Sequence, residues 1–537
     1  MVRILPLGGL GEVGMNCMAI VDGRDAIVID CGVTFESAAL GVDVAHPRWD
    51  ALESADFEVR ALVLTHGHED HVGAVPYFLR RFDVPIYGPR YALALLRERA
   101  REHEVLGHAR LFETKGREAF RVGNLRIEPI DVTHSIADAT ALGIETSAGR
   151  IVHSGDFKFD ETPVVGAGFD TERLADWGRE GVSLLLSDST NVDAAGHSGS
   201  ESDVGAALER AVTGAEGAVI VAMFASNAHR MKLLGDVARA TRRRLVLVGR
   251  SMETHTRLAR DVGILSWPTD LTWPSARVRE LPRQNVLAVV TGSQGEPEAA
   301  LARIAAGTHP VMAAQKGDRI VFSSRVIPGH ELEVGALVDS FLRRGIDVVT
   351  RERAPGIHVS GHACREEQAR LIGLTEPKAF VPLHGTLRHL HAHAELARDA
   401  GVGSVCVLEN GLAGSLAGGV VRREEAFASG RVRLADGLEI TPEMLRDRRG
   451  LAERGALFVT VGEGSDELSI STRGLTDDPR ILEAARAEIR RAMQALPHGA
   501  SASERMEAAR LAGRRAYLRA TGSKPETEVH VSSARKR

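Results

Sequence analysis

Ala61-Leu62-Val63-Leu64-Thr65-His66-Gly67-His68-Glu69-Asp70-His71 runs from a short apolar stretch into six residues that carry three imidazoles and the Asp70 carboxylate. Val72, Val75 and Leu79 then recur at helical spacing, so the cluster reads as a loop that leaves a buried strand and opens a helix. Loops at strand ends are where α/β folds place their chemistry. Neutral imidazole and carboxylate suit Zn²⁺, with Mn²⁺ or Fe²⁺ as alternatives, and a set without thiolate points to a catalytic metal site rather than a closed structural one. Polar surface loops are ordinarily built from Gly, Asn, Asp and Ser, which sets this histidine-rich loop apart.

Working outward, the 537 residues provide for two to four domains with large cores. A formal net charge of -5 excludes a global basic field, so any nucleic acid must be held in a local groove. Cys17, Cys31, Cys364 and Cys406 are scattered without a CxxC pair, as expected of a reducing compartment. The opening Met1-Val2-Arg3-Ile4-Leu5-Pro6 is too soon interrupted for a signal peptide, and no apolar run approaches membrane-spanning length. The expectation is a cytoplasmic protein with no membrane partner.

Short strand-like runs at 17–21, 26–30, 61–65, 125–130, 151–153 and 184–187 make residues 1–200 a β-rich layered unit. From Glu201 the rhythm changes. Apolar runs at 218–224, 244–248, 286–290 and 319–322 are each followed by a helical pattern, the signature of a parallel sheet over 201–353. Residues 354–429 return to strands, 430–455 turn linker-like, and 456–537 read as a small α+β unit with Asp478 and Pro479 starting a helix. From Arg480 onward 13 Lys/Arg stand against 6 Asp/Glu, a local +7 that suits a solvated helix face or an RNA-binding surface equally.

Gly9-Leu10-Gly11-Glu12-Val13-Gly14 satisfies the dinucleotide fingerprint G-x-G-x-x-G, but that motif needs a helix next, and strand-like residues 17–21 follow instead. The glycines read as a tight loop. Further metal-ligating types close other strands: His134 in DVTHS, Asp156 in VHSGD and His384 in FVPLHG. Because a carboxylate can bridge two cations through its two oxygens, Asp156 is the natural bridge.

Leu64 to Leu79 with HGHEDH, Thr133-His134-Ser135, residues 153–158 (HSGDFK), 187–191 (SDSTN), 224–227 (FASN), 249–252 (GRSM), 291–297 (TGSQGEP), 358–362 (HVSGH) and 382–385 (PLHG) together resemble the ribonuclease J family, in the β-CASP branch of the metallo-β-lactamase fold. The resemblance implies an α/β architecture: a metallo-β-lactamase αββα sandwich, an inserted β-CASP α/β domain and a small C-terminal α+β domain. It implies two Zn²⁺ per chain, Mn²⁺ being the alternative, with His66, His68, His134 and Asp156 on one and Asp70, His71, Asp156 and His384 on the other. Asp30 would support the site without touching metal, Asp188 would orient a ligand or assist proton transfer, and His362 would contact the scissile phosphate. Ser226, Asn227, His358, Ser360, Gly361 and His362 would hold RNA phosphates, among them a 5′-monophosphate. The implied activity is 5′-to-3′ exonuclease and endonuclease cleavage of single-stranded RNA in RNA processing and decay, by a homodimer or homotetramer.

The sequence departs from that family at Thr386-Leu387, where Glu-Tyr is common, and at Glu298, where a small or apolar residue is usual. His389, His391 and His393 read as an exposed helix rather than a third metal site, since only 389 and 393 share a face. The polar segment 526–531 makes a poor closing strand. Two alternatives stand beside the nuclease: a small-molecule metallo-hydrolase of the same fold, which would not need the long insertion, and a non-catalytic RNA-binding scaffold.

Overall fold

The structure is a computed structural model that describes residues 1–36, 40–268, 270–327, 329–462 and 468–532. It divides into a large unit, residues 1–34 with 46–431, and a small one, residues 35–45 with 432–537.

Two sheets form the core of the large unit. The first orders its strands Val420–Ala426, Leu412–Ala417, Val2–Gly8, Cys17–Asp22, Asp25–Ile29, Glu58–Val63, Ile86–Gly88 and Leu111–Glu113. The second runs Ser404–Val405, Ala379–Leu383, Val182–Asp188, Gly149–His153, Thr140–Thr146, Leu125–Asp131 and Phe120–Val122. Their inner faces meet through Ile4, Ile20, Ile27 and Val63 on one side and Ile127, Ile144, Ile151, Leu184 and Val381 on the other, all essentially buried. Each such side chain contributes roughly 1.5–3 kcal/mol of burial. The outer face of the second sheet is covered by helices Thr171–Glu180 and Arg365–Thr375, whose Leu174, Trp177, Leu371 and Ile372 pack on Val152, Leu185 and Phe380. Helix Arg90–Glu102 lies against Leu111–Glu113 of the first.

Between Val182–Asp188 and Ala379–Leu383, which pair in parallel, the chain makes a separate five-stranded sheet. Its strands Arg244–Val248, Val286–Val290, Val219–Ala222, Arg319–Phe322 and Asp347–Val349 are all parallel and buried on both faces, which is why they read as continuous Val/Ile/Leu runs. A buried ion pair, Arg230 to Glu201 at 2.9 Å, lies beneath it, and Arg230 also donates to the Ser323 carbonyl at 2.8 Å.

In the small unit, Ala456–Gly462 pairs antiparallel with Leu468–Arg473 and parallel with Glu526–Ser532, so the polar segment does close the sheet. Helices Pro479–Gln494 and Ala502–Thr521 cover it, with Asp478 capping the first as expected. Arg535, Lys536 and Arg537, three of the cations counted from the sequence, lie outside the described residues. The expected linker 430–455 is corrected. Leu434 opposes Glu439 in a hairpin, and Pro442–Arg454 is a helix whose Thr441 side chain accepts from the Met444 amide.

Among the described residues no helix is long and apolar enough to cross a membrane.

Candidate active site

The candidate side chains arrive from strand ends of both sheets. His66, His68, Asp70 and His71 follow Glu58–Val63; His134 follows Leu125–Asp131; Asp156 follows Gly149–His153; Asp188 ends Val182–Asp188; His384 follows Ala379–Leu383. In open α/β sheets this carboxyl edge is where ligands bind. Two turns there are strained: Asp30 and His384 hold φ of 56° and 45°, in the left-handed region that non-glycine residues seldom occupy. At Gly155, φ of 56° turns the chain so that Asp156 faces inward.

Two groups of ligand atoms converge, each within 4.8 Å of one another: those of His66, His68 and His134, and those of Asp70, His71, Asp156 and His384. His68 Nδ1 lies 3.0 Å from His66 Nε2 and 3.1 Å from His134 Nε2. Asp156 Oδ2 stands 3.2 Å from His71 Nε2 and 3.8 Å from both His66 Nε2 and His134 Nε2, while Oδ1 meets His384 Nδ1 at 2.8 Å. Asp70 Oδ2 is 3.4 Å from His384 Nε2. Asp156 therefore touches both groups, the position expected of a bridge.

The outer ring nitrogens decide what the inner ones can do. His134 Nδ1 donates to the Gly361 carbonyl at 2.6 Å, which leaves Nε2 as a lone pair facing the cluster. A Cβ at Gly361 would lie 2.6 Å from Ser135 Oγ, so only glycine lets that carbonyl approach. His71 Nδ1 donates to Asp30 Oδ2 at 2.7 Å, and Thr65 fixes the same carboxylate through its amide and hydroxyl, both at 2.8 Å. A carboxylate behind an imidazole is the usual support of a metal-bound histidine. Burial holds the His66 and His134 imidazoles well below their ordinary range, and His68 at about 4. Burial also opposes protonation of His71, but Asp156, Asp70 and Asp30 outweigh it and push its imidazole up. Three imidazoles held toward the neutral form, their ring nitrogens 3.0–3.1 Å apart, and a carboxylate against them form a donor set that fits a divalent cation.

His362 stands beside this set, one quarter exposed, its Nδ1 2.8 Å from Asp188 Oδ2 and 3.9 Å from Asp156 Oδ2. Burial lowers its affinity for a proton, but Asp188 and Asp156 prevail and lift it to about 9. Asp188 is itself fixed through Oδ1 by the Thr190 amide at 2.8 Å and hydroxyl at 2.6 Å. Ligand atoms of Asp156, Asp188, His362 and His384 also lie within 4.8 Å of one another, so the two roles meet at one carboxylate.

The expected phosphate contacts are less uniform. Ser360 and Gly361 adjoin His362, and His358 Nδ1 lies 3.4 Å from Arg230 Nη1. Ser226 is half-buried. Asn227 is corrected: its oxygen caps helix Ala228–Ala240 at the Arg230 amide and its nitrogen donates to Glu201, so its side chain is committed to structure. The helix Leu387–Asp399 is corrected too, because His393 is fully buried against Phe380 and bonded to Ser189 Oγ at 3.0 Å. Asn16 was missed by the sequence reading. It sits just past the glycine loop and reaches His71 Nε2 at 3.0 Å and Asp70 Oδ2 at 3.3 Å. The loop itself runs along the site, with the Gly14 amide 3.4 Å from His384 Nε2.

Three family models match the chain: the metallo-β-lactamase superfamily over residues 10–204, the ribonuclease J β-CASP domain over 216–341, and the Zn-dependent metallo-hydrolase RNA specificity domain over 345–407. Fold and site together define a metal-dependent hydrolase of the metallo-β-lactamase superfamily with an inserted β-CASP domain. Ribonuclease J of Synechocystis sp. is 40% identical over 464 residues, which cover 85% of this chain and 72% of that one. Ribonuclease J of Mycolicibacterium smegmatis is 37% identical over 508 residues, covering 92% and 90%. A crystal structure of a protein of unknown function from Enterococcus faecalis V583 shares the fold, with a TM-score of 0.55 at 16% identity over 77% of this chain and 99% of that one. The chain belongs to the ribonuclease J family, and its function is that of a ribonuclease J: a nuclease that binds divalent metal and RNA.

Proposed function

We propose that the chain hydrolyses single-stranded RNA 5′-to-3′ from a 5′-monophosphate end, and also internally, leaving 5′-phosphate and 3′-hydroxyl products. The observation that carries this reading is the convergence of His66, His68, His134, Asp70, His71 and His384 on the two oxygens of Asp156. Two Zn²⁺, or Mn²⁺, would be held by His66, His68, His134 and Asp156 and by Asp70, His71, Asp156 and His384. Such cations, when bound, supply a nucleophile at neutral pH and offset charge on phosphoryl oxygens.

The chain's own groups do the rest. Asp30 holds His71 in the tautomer that turns Nε2 inward. Asp188 anchors His362 Nδ1, leaving the outer ring nitrogen Nε2 to face a phosphoryl oxygen and donate to it as negative charge develops there. Ser226, His358, Ser360 and Gly361 would line the 5′-phosphate pocket, which places the scissile bond near the chain end and favours mononucleotide release. In domain terms the sandwich comprises residues 1–200 and 354–429, the β-CASP insertion 201–353 and the terminal unit 456–537. The enzyme would act in the cytoplasm as a homodimer or homotetramer. Incubation with 5′-monophosphorylated, 5′-triphosphorylated and circular RNA tests the reading: the monophosphate substrate should release mononucleotides fastest, and equal release from the triphosphate would refute the pocket.

A further inference from the structure

The loop around Ser360 contains a hydroxyl whose proton is left over. Ser360 Oγ accepts from the His362 amide at 3.1 Å and from Asn191 Nδ2 at 3.0 Å. The orientation of the Asn191 amide is forced by its other partners. Its oxygen receives Arg325 Nη1 at 2.9 Å, and a guanidinium only donates. Its nitrogen also reaches the His362 carbonyl at 3.3 Å, which only accepts. A hydroxyl has two lone pairs and one proton. With both lone pairs of Ser360 engaged, the proton can only be given away, and no acceptor for it is found among the described residues.

Arg325 comes from the opposite side, on the loop that follows strand Arg319–Phe322 of the five-stranded sheet. Its backbone is fixed, since its carbonyl accepts from Gln294 Nε2 at 3.0 Å. Its side chain is exposed, and Nη1 makes the one side-chain hydrogen bond found among the described residues. Its charge is felt at both His358 and Cys364, on either side of Ser360. A guanidinium with free N–H groups next to a hydroxyl that must donate is a pair of donors without an acceptor. A terminal phosphate supplies acceptor oxygens and the opposing charge, and Arg binds it in a fork.

We infer that Arg325 binds the terminal 5′-phosphate of RNA directly, and that Asn191 is a positioning residue that turns Ser360 into an obligate donor to the same phosphate. This rests on the proposed 5′-phosphate pocket and adds to it a cation delivered by the inserted sheet. Selection for a 5′-phosphate end over a 5′-hydroxyl end is thus set jointly by the two parts of the fold.

The test compares hydrolysis of one oligonucleotide carrying a 5′-phosphate or a 5′-hydroxyl by the metal-loaded full chain, alongside calorimetric binding of uridine 5′-monophosphate. Metal content and circular dichroism accompany each variant. Arg325→Gln should lower the phosphate-to-hydroxyl rate ratio about ten- to a hundredfold, the range for loss of charge-assisted hydrogen bonds, chiefly through KM. Arg325→Lys should recover part of the ratio by restoring charge without the fork. Asn191→Ala should lower the ratio about tenfold, with weaker nucleotide binding. A wild-type ratio in all three variants overturns the inference while leaving the pocket intact. Equal slowing on both substrates by Arg325→Gln also overturns it, because the residue then contacts the strand at large. If the wild type itself fails to prefer the phosphate, the pocket reading falls, and this inference with it.

Discussion

Replacing Asp30 with Asn changes one atom's chemistry and leaves the shape alone. The Asp30 carboxylate is 2% exposed and takes three hydrogen bonds, from the Thr65 amide, the Thr65 hydroxyl and His71 Nδ1–H. Asparagine offers one accepting oxygen for these donors. If that oxygen stays with the Thr65 amide, the –NH₂ group meets His71 Nδ1, which must become an acceptor; the ring proton then moves to Nε2, and His71 no longer presents a lone pair to metal. Loss of such outer support typically costs ten- to a hundredfold in metal affinity, about 1.4–2.7 kcal/mol. If the oxygen turns to His71 instead, the Thr65 amide is orphaned in the core, and stability falls by about 1–3 kcal/mol. Competition with a chromophoric chelator measures the first outcome and urea unfolding of the metal-free protein the second. An Asp30→Asn protein with wild-type metal affinity and wild-type stability would refute the reasoning.

Other expectations follow from the same geometry. His68→Ala and Asp70→Ala should each lower metal content by mass spectrometry and abolish RNA cleavage, with circular dichroism near wild type. His362→Ala should retain metal yet slow kcat by about 10²–10³, the usual loss of one donor to transition-state charge; loss of metal would make it a ligand instead. Arg230→Met strands the buried Glu201 carboxylate, which has no other cation at hydrogen-bond distance among the described residues, and should cost about 3–5 kcal/mol in urea unfolding. Burial holds His393 at about 3, below the 6.5 of an unfolded chain, so its share of stability is complete above pH 6.5 and declines as pH falls toward 3. At pH 5 the loss is about 2 kcal/mol, and His393→Gln should flatten that slope in chemical unfolding measured from pH 7 to pH 5.

Where local chemistry and tertiary structure make the same demand, the sequence was readable. The 61–71 stretch is a strand, a turn and a helix start, and each carries its own pattern. The parallel strands of the insertion were equally plain, because burial on both faces leaves unbroken apolar runs. Residues that serve two demands were harder. Asn227 has the chemistry of a phosphate contact and that of an N-cap, and only the position of Arg230 and Glu201 shows that the cap won. His393 looked solvated because its helix is rich in charge, yet Leu390, Ala394 and Ala397 form a narrow buried stripe beside it. The 430–455 stretch is dense in Arg, Asp and Glu, which hid a helix whose Thr441-Pro442 start was in plain view. Asn16 could not be found from composition, since its role depends on a loop laid across the site from another strand.

The parallel pairing of Val182–Asp188 with Ala379–Leu383 sets a timetable for biosynthesis. The five strands of the insertion lie between residues 219 and 349, so that sheet can assemble as soon as it emerges. The sandwich around it must wait, because its second sheet lacks the strand beside Val182–Asp188 until residue 383 and strand Val2–Gly8 lacks its neighbour Leu412–Ala417 until later still. Such pairings across hundreds of residues are slow and leave strand edges open in the meantime. His384 is the last of the metal-facing side chains to be made. A growing chain on the ribosome, surrounded by RNA, therefore carries an incomplete cutting centre until more than two thirds of it has been translated.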